Sequence, residues 1–195
     1  MRFSSAWGPR PSPDSFNSVL RMRTTAVELN PSVVTACRIY FHLPDDSARL
    51  KVLEMDAAAF AADPDRAETV QVLCVDLYDH DAAGPVLDSE IFYRDCHRLL
   101  ADGGVMTVNL FGRDASFERS AQRIARAFGE AQVFSLRPTK EGNTVVVALK
   151  GVTLPEREVL VARAENIEAR FSLPARKWVK MIRPLSAAPA ADPSA

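Results

Sequence analysis

Cysteine is scarce in this sequence, and its placement excludes the usual cysteine-built sites. The three cysteines, Cys37, Cys74 and Cys96, are odd in number, lie far apart and form no CxxC pair. Disulfide frameworks and zinc sites require closely spaced or paired cysteines. We therefore expect three reduced cysteines that serve as packing residues. The three histidines, His42, His80 and His97, show no metal-ligand spacing either, so no metal site is predicted.

The sequence also lacks an excess of charge and a long apolar run. It has 24 Lys plus Arg against 25 Asp plus Glu, so its overall charge favours neither nucleic acid nor an anionic membrane as a partner. No run approaches the roughly 20 apolar residues of a membrane-spanning helix, and the N-terminus has no apolar stretch of signal-peptide type. We expect a cytoplasmic protein that binds neither nucleic acid nor membrane.

What the sequence does contain is an alternation of strand and helix patterns. Such alternation predicts a parallel sheet with helical crossovers on both faces. The short link between the last two strands predicts an antiparallel hairpin. The predicted fold class is therefore α/β, a doubly wound Rossmann-like sheet with a C-terminal hairpin. Its strands are predicted at 24–29, 50–55, 70–77, 104–110, 131–136 and 143–150, and its helices at 31–41, 56–63, 89–100, 115–129 and 154–171.

One domain is expected, because 195 residues with 47% apolar content suffice for one sizeable core. The domain is predicted to span 14–171, beginning with a short helix capped by Asp14. An irregular leader at 1–13 precedes it. A tail at 172–195 follows it, and the low-complexity end of that tail is predicted to be disordered.

Some element boundaries carry specific signals. Asn30 and Pro31 are the expected cap and first residue of a helix, and Ser89 is expected at the start of another. The segment "DGG" at 102–104 is predicted to terminate that second helix, and Pro155 is predicted in the first turn of the last one. The third strand, 70–77, is apolar nearly throughout, which predicts burial on both faces.

Acids and amides follow most of the predicted strands. They are Glu28, Asp56, the pair Asp76 and Asp79, and Asn109. Ligands of open α/β sheets bind beyond the carboxyl ends of the strands, and a carboxylate can accept hydrogen bonds from both hydroxyls of a ribose. Glu28 is the candidate for that role. The alternative is that Glu28 only caps or bridges at the surface.

Three segments resemble the catalytic domain of spermidine synthases, the polyamine aminopropyltransferases, which have a Rossmann-like fold of the class I methyltransferase type. They are "TAVELNPSVV", "DAAAF" and "VDLYDHDAAGPVLDSEIFYRDCHRLLADGGVMTVNL". The similarity runs from Thr24 to Lys150. The family's loop has two acids three apart, a Gly-Pro and a Ser-Glu-x-Phe-Tyr helix start, and this chain keeps all three features.

The resemblance implies roles for individual residues. Glu28 would bind the ribose of decarboxylated S-adenosylmethionine, the co-substrate, and Asp56 with Ala57 would lie near its adenine. Asp76 would take a proton from the attacking amine of a polyamine such as putrescine, and Asp79 would hold that amine. No cofactor is implied.

The acidic loop departs from the family pattern in three places. Leu77 and Tyr78 replace a pair of serines, and His80 replaces a proline. Tyr78 is a substrate-binding candidate, with space filling above the sheet as the alternative, and His80 is a lesser candidate for substrate contact. The amine acceptor is therefore left open.

The family's first strand and glycine-rich loop have no counterpart before Thr24, where the only glycine is Gly8. The missing strand would lie between the strands that end at Glu28 and Asp76. We expect a truncated chain. The alternatives are a shifted reading frame or a leader that fills the gap. The family's small N-terminal β-domain has no counterpart either.

Two other functions stay open at the level of sequence. One is a methyltransferase of the same fold, using S-adenosylmethionine and keeping Glu28 and Asp56 for the nucleoside. The paired acids argue against it, because methyltransferases acting on amide or base nitrogens often carry an Asn/Asp-Pro-Pro-aromatic loop there. The other is a non-catalytic pseudoenzyme with the same acidic pocket. The oligomeric state is open, with a homodimer among the possibilities.

Overall fold

The computed structural model describes residues 22–77, 87–111, 115–139 and 142–185. Contacts within the chain divide it into two units, with the boundary between Asp63 and Pro64. Each unit is described by itself below. The predicted leader and most of the helix predicted after Asp14 lie outside the described residues.

The first unit contains two parallel strands and two helices. They are β1 (Thr24–Glu28), α1 (Pro31–Tyr40), β2 (Leu50–Glu54) and α2 (Ala57–Ala62). The two strands pair in register, with Glu28 opposite Glu54. The predicted start of α1 is confirmed, because the Asn30 side chain accepts a hydrogen bond from the Ser32 N–H at 2.9 Å. The carboxyl ends of both strands therefore lie at one edge of this sheet.

The second unit contains a five-stranded sheet with the order β3-β4-β6-β5-β7. β3 and β4 are parallel, and the other neighbours are antiparallel, which confirms the predicted hairpin of β5 and β6. The elements are β3 (Val70–Val75), α3 (Glu90–Leu99), β4 (Leu100–Phe111), α4 (Ala115–Phe128), β5 (Val133–Leu136), β6 (Asn143–Leu149), α5 (Arg157–Phe171), α6 (Ala175–Val179) and β7 (Ile182–Pro184).

The core of the second unit lies between this sheet and the helices α3 and α4. Met106, Val108 and Leu110 alternate along β4 and are at most 2% exposed, while the residues between them are half-buried. Ile124 of α4 and Tyr93 of α3 are fully buried. One face of the sheet is therefore packed, and the other is partly open.

β3 contradicts the prediction that its strand is covered on both faces. Gln71, Val72 and Cys74 are exposed, and Val75 is the one fully buried residue of the strand. The reason is position, because β3 is an edge strand whose neighbour among the described residues is β4. The prediction that all three cysteines pack inside is thus wrong for Cys74.

The end of α3 also differs from the prediction. The helix ends at Leu99 and β4 begins at once with Leu100, so the glycines at 103 and 104 lie inside the strand. Gly103 has a φ of 78°, a conformation that glycine adopts without steric cost. Its N–H donates to the Lys150 carbonyl at 2.9 Å. This segment pairs with the end of β6 instead of forming a turn.

Two further differences concern the C-terminal part. α5 begins at Arg157, so Pro155 precedes the helix and does not lie in its first turn. Part of the segment predicted as a tail is regular structure, since it forms α6 and β7. The prediction of a single domain over 14–171 stays a prediction. Within the described residues, no helix is both long and apolar enough to cross a bilayer.

Candidate active site

Three polar side chains meet across three strands at the carboxyl end of β3. Asp76 follows β3 directly, and its Oδ1 accepts a hydrogen bond from Nδ2 of Asn109 on β4 at 3.0 Å. Oδ1 of Asn109 in turn accepts from Nδ2 of Asn143, the first residue of β6, at 3.4 Å. Asp76 is therefore held by a row of two amides.

The strand register places these side chains together. Val75 pairs with Val108, so Asp76 lies beside Asn109 in the parallel pair of β3 and β4. Asn109 pairs with Val145 in the antiparallel pair of β4 and β6, and Asn143 lies two residues along on the same face. Because side chains alternate along a strand, this row lies on the partly open face of the sheet.

The donors that hold Asp76 are uncharged. Among the described residues, Asn109 is the hydrogen-bond donor to this carboxylate, and no Lys or Arg forms an ion pair with it. A neutral amide fixes a carboxylate without cancelling its charge, whereas a guanidinium would neutralise it. Asp76 is half-buried, and a carboxylate fixed in this way suits a cationic ligand.

A second carboxylate, Asp88, ties the start of α3 to α4. Its Oδ1 accepts from the Tyr93 hydroxyl at 3.0 Å, and its Oδ2 accepts from the Ser120 hydroxyl at 2.9 Å. Arg123 donates to the Asp88 carbonyl at 2.6 Å and also to Oδ2. Burial raises the pKa of Tyr93, and the negative charge of Asp88 raises it further. This network anchors the chain twelve residues after Asp76.

Glu28 lies at the carboxyl end of β1 in the first unit, as predicted. Its Oε1 accepts a hydrogen bond from the Asn30 N–H at 2.9 Å. This carboxylate therefore lies against the start of α1 and is half-buried. The contact is of the capping kind that was the alternative to ribose binding, although a carboxylate has further acceptor positions.

Asp56 is the N-cap of α2. Its Oδ1 accepts from the N–H groups of Ala58 and Ala59, at 2.6 and 3.1 Å. Ala57 is the first residue of that helix and is half-buried. Asp56 is exposed.

The predicted site residues thus fall into three groups. Glu28, Asp56 and Ala57 lie in the first unit, at the carboxyl edge of its two strands. Asp76 lies in the second unit with Asn109. Tyr78 and Asp79, together with His80, lie outside the described residues.

Relatives with established names match most of this chain. A polyamine aminopropyltransferase from Chromobacterium violaceum is 30% identical over 161 residues, which is 82% of this chain and 60% of the relative. Another from Pseudomonas syringae pv. tomato is 35% identical over 158 residues, 76% of this chain and 53% of the relative. The sequence of this chain is therefore similar to those of polyamine aminopropyltransferases. No protein-family model matches it.

Solved structures support the predicted Rossmann-like fold. A spermidine synthase from Thermotoga maritima matches with a TM-score of 0.55 and 21% identity, over 72% of this chain and 51% of that one. A spermidine synthase in complex with the transition state analogue AdoDATO has a TM-score of 0.59 and 18% identity, over 86% and 66%. Human methyltransferase-like protein 13, in complex with SAH, has a TM-score of 0.61 and 21% identity, over 77% and 71%. The Rossmann-like fold class is therefore confirmed.

The chain spans three fifths or less of the length of the curated proteins it matches. Sequence reasoning identified the resemblance but missed two residues of the site region, Asn143 and Asp88. A signal for Asn143 existed, because the first residue of the second hairpin strand must lie near the carboxyl end of an antiparallel neighbour. Asp88 gave no local signal, since its partners Ser120 and Arg123 lie 32 and 35 residues further along the chain.

Proposed function

We propose that this chain carries the acceptor half of an aminopropyltransferase site, which transfers an aminopropyl group from decarboxylated S-adenosylmethionine to a polyamine such as putrescine. The observation that supports it best is the Asp76 carboxylate, fixed by the neutral amide of Asn109 at the carboxyl end of β3. A fixed carboxylate suits a cationic amine. The relationship to polyamine aminopropyltransferases supports the same reaction.

The chemical step needs a base and no metal. An alkyl amine has a pKa of about 10 and is protonated at neutral pH, so it must lose a proton before its lone pair can attack. Asp76 would accept this proton. The amine nitrogen would then bond to the carbon next to the sulfonium, and the carbon–sulfur bond would break with its electron pair going to sulfur. The product sulfur compound, methylthioadenosine, is a neutral thioether.

The donor would use the first unit. Glu28 at the end of β1 and Asp56 at the start of α2 are the proposed ligands of its ribose and adenine, with Ala57 beside them. A ribose has two vicinal hydroxyls, and a carboxylate can accept from both. We further propose that Asp79 and Tyr78 contact the amine, and that the protein works in the cytoplasm.

The direct test incubates the 195-residue chain with decarboxylated S-adenosylmethionine and putrescine and measures methylthioadenosine by chromatography. Release of methylthioadenosine together with spermidine would support the proposal. If S-adenosylmethionine is consumed instead, with transfer of its methyl group, the methyltransferase alternative is correct. Calorimetric binding of methylthioadenosine without turnover of either donor would identify a non-catalytic protein.

Asp76→Asn should lower the rate of aminopropyl transfer by at least about 100-fold, because the amide cannot accept the proton. The fold should be kept, since Asn is nearly isosteric, and circular dichroism checks this. Asp102→Asn is the matched control, an exposed aspartate at the other end of the same sheet, and its rate should equal that of the parent protein. If the Asp76→Asn variant turns over putrescine at the parental rate, Asp76 is not the base.

A further inference from the structure

The row of amides next to Asp76 has a defined polarity. A carboxylate oxygen can only accept a hydrogen bond, so Asn109 must direct its NH₂ group at Asp76. The carbonyl oxygen of Asn109 then faces Asn143, whose NH₂ group donates to it. The orientation of both amides therefore follows from the charge on Asp76.

Asn143 is itself held by the backbone around it. Its N–H donates to the Thr139 hydroxyl at 3.2 Å, and its carbonyl accepts from the Thr139 N–H at 2.8 Å. These bonds use main-chain atoms of Asn143, which leaves its side chain to serve Asn109. The first residue of β6 is thus fixed independently of the amide row.

Asn109 alone would hold Asp76 less firmly. A terminal amide rotates about its χ2 angle in a broad potential, so each hydrogen bond to it narrows the range of its orientations. The second bond, from Asn143, restrains the other end. Chains of hydrogen bonds also strengthen one another by polarisation.

From this geometry we propose that Asn143 is a positioning residue that acts through Asn109. It keeps one oxygen of the Asp76 carboxylate engaged, so that the other oxygen is presented to the amine in one orientation. This inference rests on the proposed function, because it assigns Asn143 to the acceptor part of that reaction. Among the described residues, this arrangement fixes the carboxylate through neutral amides and not through a cation that would compete with the substrate.

The test replaces Asn143 with Leu, which has a similar shape but cannot donate a hydrogen bond. The kcat of aminopropyl transfer should fall about three- to tenfold, the value of one hydrogen bond, while the KM for the donor stays unchanged. Asn143→Gln retains an amide donor and should recover part of the loss. Val145→Ala, on the same strand and the same face, is the packing control and should leave kcat unchanged.

A second readout does not depend on activity. The side-chain ¹⁵N order parameter of Asn109 should fall in Asn143→Leu and stay at the parental value in Val145→Ala. If the parent transfers no aminopropyl group but this order parameter falls, the proposed function is wrong and the holding of Asn109 by Asn143 stands. The inference is overturned if the order parameter is unchanged, or if Val145→Ala lowers kcat as much as Asn143→Leu does.

Discussion

Three acids at the ends of parallel strands are held by different kinds of donor. Glu28 and Asp56 accept from backbone N–H groups at the start of the helix that follows each of them. Asp76 accepts from the side chain of Asn109 on the next strand. A backbone donor satisfies the helix terminus, whereas a side-chain donor from another strand fixes the acid in relation to the sheet. The hydrogen bond from Asn109 to Asp76 is therefore not explained by helix capping.

Asp56 allows the capping role and the proposed donor-binding role to be separated. Asp56→Asn keeps a capping oxygen, so the free energy of unfolding should change by only a few tenths of a kcal/mol, whereas Asp56→Ala should cost about 1 kcal/mol. If Asp56 also binds the nucleoside, both variants should weaken the binding of methylthioadenosine in calorimetry. If Asp56→Asn binds methylthioadenosine as tightly as the parent does, Asp56 serves only as a helix cap.

Asp88 should be a major contributor to the stability of the second unit. Its side chain is 15% exposed and bonds to Tyr93, Ser120 and Arg123. Asp88→Ala leaves these donors without their acceptor, and the expected loss is about 2 to 4 kcal/mol in urea unfolding.

The control for Asp88 is Asp45, whose side chain is 95% exposed and pairs with Arg38 at 2.8 Å. An exposed ion pair contributes about 0.5 kcal/mol or less, so Asp45→Ala should leave the unfolding midpoint nearly unchanged. Equal losses in the two variants would contradict the importance of the Asp88 network.

At the scale of elements, local signals predicted most helices and strands, and tertiary pairing determined the rest. The caps Asn30 and Ser89 were predictable, because a cap is made between residues two or three apart. The extension of β4 back to Leu100 was not, because it depends on pairing between Gly103 and Lys150, 47 residues apart in the sequence. The exposure of β3 was unpredictable for a similar reason, since an apolar run does not show which strands lie at an edge.

The packing of α3 on α4 should make stability depend on pH through His97. Its ring contacts the edge of Phe128, with 4.9 Å between centroids. Burial lowers the pKa of His97, and the positive charge of Lys150 lowers it further. The unfolded chain then binds more protons than the folded one at pH values just below the ordinary histidine pKa of about 6.5. The contribution of neutral His97 to the free energy of unfolding is therefore present in full above that pH. It is lost as the pH falls through the lower pKa of the folded state.

His97→Phe keeps an aromatic ring at this interface and removes the titration. Its free energy of unfolding relative to the parent should rise as the pH is lowered from 7.5 to 5, measured by urea denaturation at each pH. A difference that stays constant over this range would show that His97 titrates alike in the folded and unfolded chains.

At the scale of the whole molecule, the alternation of strands and helices predicted the fold class, which solved structures confirm. Three sequence segments, including the acidic loop, predicted the resemblance to polyamine aminopropyltransferases, and curated proteins of that name match the chain. The division into two units at Asp63 and Pro64 was not predicted. The acidic loop pattern was informative because its chemistry is local to one stretch of chain, whereas the amide row of Asn109 and Asn143 depends on strand order, which no single segment encodes.

The last strand, β7, covers one edge of β5, and this limits how far the protein can be shortened for recombinant production. Trimming at the end of α5 would remove α6 and β7, including Arg183 and Ile182, which pair with Ser135 and Leu136 of β5. β5 would then present a bare row of amide and carbonyl groups, and such edges recruit strands from other molecules. A trimmed version that keeps Leu185, whose N–H donates to the Val133 carbonyl at 3.1 Å, retains the pairing of β5 with β7.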